Sequence, residues 1–133
     1  MAIKKQIIAT PGARAPTLGG QAVPLSAAVK AGDFVFVSGQ TPRDPKTGDF
    51  VVGDIQVQTR QVLENVKAVL EAAGSSMDKV VKATVFCSNS GYFNKVNEVY
   101  KQYFPSEPPA RTFVTVGSWP GAFDIEIECI AIA

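Results

Sequence analysis

The sequence predicts a two-layer α+β fold, with a layer of strands and two helices packed on one face of it. Three observations predict it. Three apolar, strand-like runs precede the first helical pattern. Two amphipathic stretches, near residues 55–73 and 93–104, carry apolar residues at helical spacing. Two more strand-like runs close the chain, and the last alternates. The predicted order is β-β-β-α-β-α-β-β. At 133 residues, residues 1–133 suit one domain, which can bury about two-thirds of its unfolded surface.

Ile3 to Ala9 is the first predicted strand. Thr10 to Pro24 holds three prolines and three glycines, the composition of a loop or irregular arm. Leu25 to Ala31 and Phe34 to Gly39 predict two strands around a Gly32-Asp33 turn. Phe34 to Val37 is apolar throughout, as in a strand covered on both faces. Ser38-Gly39-Gln40 ends it. A glycine there permits close approach of the backbone to a ligand or another chain, or is simply a bulge.

Pro42 to Gly53 is turn-rich. Asp54 is a candidate N-cap for the first helix, and Gly74 its stop. Ile55, Val62, Leu63, Val66, Val69, Leu70 and Ala73 fall near one stripe, with Arg60, Glu64, Lys67 and Glu71 outside it. Val80 to Cys87 is the next strand. A second helix runs from about Phe93 to Phe104 and is ended by Pro105. Ala110 to Val116 is rich in β-branched and aromatic residues, and Gly117 to Gly121 has turn composition.

In the last strand, Asp124 to Ala133, side chains flip faces at each residue. Glu126, Glu128, Ile130 and Ile132 share one face; Ile125, Ile127, Cys129 and Ala131 share the other. A glutamate is almost never fully buried unless paired, so each faces water, a cation or a cavity. Arg111, at the start of the preceding strand, is a candidate partner. An Arg and a Glu across a cleft would hold a small carboxylate and position a water. A structural ion pair or a wet sheet face is the commoner arrangement, and these residues alone leave both open.

Composition excludes several classes. Hydrophobic content of 46% against 19% charged is that of a globular chain, not a disordered one. A net charge of +1 without a basic run argues against nucleic-acid and anionic-membrane partners. No apolar run approaches the roughly 20 residues of a membrane span, and no hydrophobic signal core follows the N-terminal lysines. Cys87 and Cys129 lie in strand-like apolar runs, outside any CxxC motif, as core thiols of a cytoplasmic protein do. There is no histidine. That removes Ser-His-Asp and Cys-His catalysis and the commonest zinc ligand.

Pro109-Ala-Arg-Thr-Phe-Val-Thr-Val, followed by Trp119-Pro and Ile125-Glu-Ile-Glu-Cys-Ile-Ala, resembles the signature of the RidA (YjgF) family of reactive-intermediate deaminases. Ala28 to Gln40 resembles the family's early hairpin, and Asp44-Pro-Lys-Thr-Gly its following turn. Thr59 to Gly74 and Val96 to Phe104 resemble its two helices. The resemblance covers nearly the whole chain in order. It implies a mixed sheet in a chorismate-mutase-like fold, and a homotrimer with active sites at subunit clefts.

It also implies hydrolysis of 2-imino acids or enamines, such as 2-iminobutanoate and 2-iminopropanoate, to 2-oxo acids and ammonia. Arg111 would hold the substrate carboxylate. Glu126 would orient or deprotonate the attacking water. The backbone at Ser38-Gly39 and Phe113 would position the imine, and Asn97 would contact the substrate or its neighbours. Glu128 is expected to be structural. No metal or organic cofactor is implied, because a protonated imine is already electrophilic. Two positions depart from the family pattern. Leu25 stands where an active-site tyrosine is usual, and Phe113 where the common motif is Arg-x-Cys. Both make the pocket more apolar. They admit two other readings: a deaminase of a larger substrate such as 2-aminomuconate, and a non-catalytic trimer that binds metabolites or proteins.

Overall fold

Asp54 caps the first helix: its carboxylate accepts the amides of Gln56 and Val57, each at 3.0 Å, two of the donors a helix start leaves unpaired. In this computed structural model, which describes residues 2–12 and 15–133, that helix is α1 (Ile55–Ala72). Gly74 ends it at φ 79°, where a residue with a Cβ is strained. The seven apolar stripe residues are all buried. The stripe is not wholly apolar, however. Positions three and four after Ile55 are Gln58 and Thr59, also buried.

The sheet holds β1 (Lys5–Ile8), β4 (Ala28–Ala31), β5 (Phe34–Gln40), β6 (Val80–Cys87), β7 (Ala110–Thr115) and β8 (Ile125–Ile132), in the order β1-β4-β5-β8-β6-β7. β6 pairs antiparallel with β8 and parallel with β7, so the sheet is mixed. The parallel pair needs a crossover, supplied by α2 (Phe93–Tyr103). One face of the sheet packs on the helices. Val35, Val37, Ala83, Val85, Ile125, Ile127 and Cys129 are buried there with Leu63, Val66 and Leu70 of α1 and Val96 and Val99 of α2.

Leu63 is fully buried in that layer. Leu63→Ala is expected to cost about 2–5 kcal/mol of stability, through lost transfer energy and the cavity left behind. A lowered urea midpoint with an unchanged m-value would show it.

Two details differ from the sequence expectations. In place of an irregular arm over residues 10–24 there is a small hairpin, β2 (Thr17–Leu18) with β3 (Gln21–Ala22). Its turn residues Gly19 and Gly20 both have positive φ, 57° and 79°, which two-residue hairpin turns of type I′ require. Residues 13 and 14 of that arm lie outside the described residues. Phe34 to Val37 is not covered on both faces. Val35 and Val37 are buried, while Phe34 and Phe36 are 43% and 45% exposed, as is Ile132 at 47%. The sheet face away from the helices thus leaves Phe34, Phe36 and Ile132 open in the single chain.

Candidate active site

The β5–β8 ladder breaks at Ser38-Gly39. Val37 pairs with Cys129 and Gln40 with Ile127, so two residues of β5 oppose Glu128 alone. That is a bulge, which re-aims the strand beside it. The Ser38 hydroxyl donates to the Ser26 carbonyl at 2.6 Å, and its amide to the Ala27 carbonyl at 3.0 Å. Ser38 is thereby tied to the segment that carries Leu25.

Glu126 lies across Gly39. A Cβ added to Gly39 would fall 2.6 Å from Glu126 Cδ and overlap its carboxylate. Glycine is needed here for space, not for a left-handed backbone. The Glu126 side chain is half-buried, and its proton affinity is raised. Burial is the main cause and the Glu128 carboxylate the second; the Trp119 indole opposes them. Glu128 itself is exposed. Leu25, Ser38, Gly39 and Glu126 line one broad groove, with Glu128 at its edge. Gly39→Ala is expected to displace Glu126, so that any activity resting on that carboxylate falls at least tenfold, while the circular dichroism spectrum stays that of the folded protein.

Arg111, Asn97 and Phe113 form a second group. Arg111 Nη1 donates to Asn97 Oδ1 at 2.8 Å. The guanidinium lies 4.8 Å from the Tyr100 ring centroid and 5.5 Å from that of Phe93, within cation–π range. Phe113 meets Phe93 edge-on, centroids 5.0 Å apart. Phe93, Asn97 and Tyr100 are spaced i, i+4, i+7 and so share a stripe of α2. Asn97 takes one of the five guanidinium donors. Tyr100 is buried, its hydroxyl finds no partner among the described residues, and burial pushes its pKa up to about 12, against the pull of Arg111.

The two groups lie on opposite faces of the sheet. Arg111 pairs with Ala83, and Ala83 with Cys129 on the helix face. Glu126 pairs with Phe86, one face over. The candidate pairing of Arg111 with a glutamate does not occur within the chain: β6 separates β7 from β8, and Asn97 is the partner that Arg111 has.

Both cysteines are buried free thiols. Burial raises Cys87, and pushes Cys129 to about 12; neither is a thiolate near neutral pH. Among the described residues, no group of three or more Cys, Asp or Glu is placed to hold a metal, and no helix is long and apolar enough to cross a membrane. Sequence reasoning missed Arg43, Phe50 and Phe123, which share the groove with Glu126. The available signal was Gln58 in an apolar stripe, since a buried amide needs partners. Its Nε2 donates to Asp124 Oδ2 at 3.0 Å, and its Oε1 accepts the Asp124 amide at 2.8 Å. This fixes the loop before β8.

A model of the family described as Endoribonuclease L-PSP matches residues 18–133. The chain belongs to that family. It is the RidA/YjgF family, and it includes reactive-intermediate deaminases. A RutC family protein of Pyrococcus horikoshii is 52% identical over 127 residues, covering 96% of this chain and 97% of that one. The human 2-iminobutanoate/2-iminopropanoate deaminase is 41% identical over 128 residues, 96% of this chain and 90% of that protein. The crystal structure of E. coli TdcF with bound serine superposes with a TM-score of 0.86 at 40% identity, covering 96% of this chain and 98% of that one. The mixed sheet with its two helices is therefore the RidA/YjgF fold.

Proposed function

We propose that this family member is a hydrolytic deaminase of 2-imino acids, without a metal or organic cofactor, and that its site is shared between copies of the chain. The observation that carries the reading is Glu126: a half-buried carboxylate of raised proton affinity, laid over a glycine in a groove whose walls are mainly apolar. A carboxylate so placed is suited to general-base work near neutral pH. The human deaminase supports the substrate class. The serine in TdcF supports a ligand with an α-carboxylate.

Arg111 holds the substrate carboxylate with the guanidinium donors that Asn97 does not take. A water attacks the imine carbon; its oxygen bonds to carbon as the C=N π pair moves to nitrogen. Glu126 takes a proton from that water and returns it to nitrogen. The second O–H proton follows as the C–N bond breaks, which leaves a 2-oxo acid and ammonia. Since Arg111 and Glu126 are on opposite sheet faces, one chain cannot present both to so small a substrate. A closed homotrimer joins the Arg111 face of one copy to the Glu126 face of the next, and covers Phe34 and Phe36. RNA cleavage fits poorly: net charge is +1 and no imidazole is present to act as base.

A coupled assay tests the reading. A threonine dehydratase generates 2-iminobutanoate, semicarbazide traps what remains, and faster loss of imine with the protein than with buffer is the expected result. Trapping unchanged across several imino acids would overturn it and leave the binding-only reading.

A further inference from the structure

Four side chains that the mechanism does not use form a continuous stack along one wall of the Glu126 groove. The Arg43 guanidinium lies 4.5 Å from the Phe50 centroid. Phe50 and Phe123 are 4.8 Å apart, with their planes tilted by 38°. Phe123 and Trp119 are 4.7 Å apart, tilted by 34°. All four line the groove that holds Leu25, Gly39 and Glu126. The Trp119 end lies toward Glu126: both line the groove, and the indole counters the rise in the carboxylate's proton affinity.

The stack is built from two loops, both pinned to α1. Asn65 Nδ2 donates to the carbonyls of Thr41 and Arg43 at 3.0 and 2.8 Å. Gln58 holds Asp124 from the other side, and the Ser88 hydroxyl donates to Asp124 Oδ1 at 2.8 Å. Gly121 makes room for the rings: a Cβ there would sit 3.0 Å from Phe123 and 3.1 Å from Phe50. These contacts pre-organise three aromatic faces in the groove that holds Glu126. A methyl or ethyl side chain covers little of such a wall, whereas a ring or a branched chain can lie along it.

We propose that Trp119, Phe123 and Phe50, with Arg43 behind them, are the side-chain subsite. It selects 2-imino acids with aromatic or branched apolar side chains over 2-iminopropanoate. The substrate class rests on the deaminase reading; the geometry of the subsite does not. Leu25, apolar and 47% exposed in the same groove, adds contact for such a side chain.

Trp119 is the only tryptophan in the sequence, so its fluorescence reports the subsite directly, and stable 2-oxo acid products serve as probes. Phenylpyruvate is expected to quench Trp119 and to bind about tenfold or more tightly than pyruvate by calorimetry. Phe123→Ala should bring the two within about twofold. Should that variant fail to fold, Phe123→Leu, which removes the ring at similar volume, should shrink the preference at least threefold. Equal affinities in the unaltered protein, or a preference unchanged in a folded Phe123 variant, would overturn the subsite. Discrimination in binding without imine hydrolysis upholds the subsite and refutes the deaminase. Hydrolysis of 2-iminopropanoate without discrimination refutes the subsite alone.

Discussion

Glu126→Gln is expected to lower kcat/KM for 2-imino acids by about 10²–10⁴-fold, the range for loss of a general base, without lowering the thermal midpoint at neutral pH. The second half of this result separates a functional carboxylate from a structural one. The folded chain holds the Glu126 proton to higher pH than the unfolded chain does, mainly because burial disfavours the charge. Between the ordinary carboxylate range and that raised value, the native state binds more protons than the unfolded state. Stability from this group is therefore fully present below the unfolded value and lost as pH rises through the folded one. Above it the ionised side chain is a standing cost, which glutamine removes. The variant should match or exceed the original midpoint at neutral pH, and the gap should close in acid. Activity should run the other way: kcat/KM falls as pH drops through the raised value, because the base must be ionised. Glu128→Gln, at an exposed position, should lower activity by less than about tenfold. It should also shift the acid limb down, since the Glu128 charge raises Glu126.

Arg111→Ala is expected to lower kcat/KM about 10²–10³-fold, chiefly through KM, since in the proposed mechanism the guanidinium would bind the substrate carboxylate in ground and transition states alike. Unlike the Glu126 variant, it should also lose stability. Its removal leaves Asn97 Oδ1 without its donor and uncovers the Tyr100 ring. Arg111→Lys keeps the charge but not the fork, and should recover only part of the affinity. A mixing experiment then decides whether the site is shared. Arg111→Ala and Glu126→Gln chains are each expected to be at least about 100-fold less active alone. Unfolded together and refolded, they should regain about a quarter of the sites if the proposed trimer forms at random, each site with Arg111 from one copy and Glu126 from the next. No recovery from mixtures that refold into trimers would mean that both groups act from one chain, contrary to the strand register.

The elements were legible in the sequence because their signals are local. The stripe from Ile55 to Ala73, the Asp54 cap and the Gly74 stop each depend on residues within a turn or two. The alternation from Ile125 to Ile132 separated the two glutamates from the core without reference to the rest of the chain. The Gly19-Gly20 hairpin was missed because three glycines and three prolines in one segment mask a two-residue turn. The exposure of Phe34 and Phe36 was missed for a different reason: an apolar run shows that a strand avoids water, not whether its own chain or another copy covers it.

The site was legible only as a set of residues. Sequence motifs marked Leu25, Ser38, Gly39, Asn97, Arg111, Phe113 and Glu126, but not how they divide. The sequence by itself determined the order of the six main-sheet strands and the two helices, the absence of an imidazole and the shared face of Glu126 and Glu128, since these follow from composition and from local periodicity. Only the tertiary structure decided that β6 lies between β7 and β8, that Arg111 faces α2 while Glu126 faces the groove, and that two distant loops stack Phe50 on Phe123. Strand neighbours are chosen by pairing between residues far apart in the chain, and no local pattern encodes which partner wins.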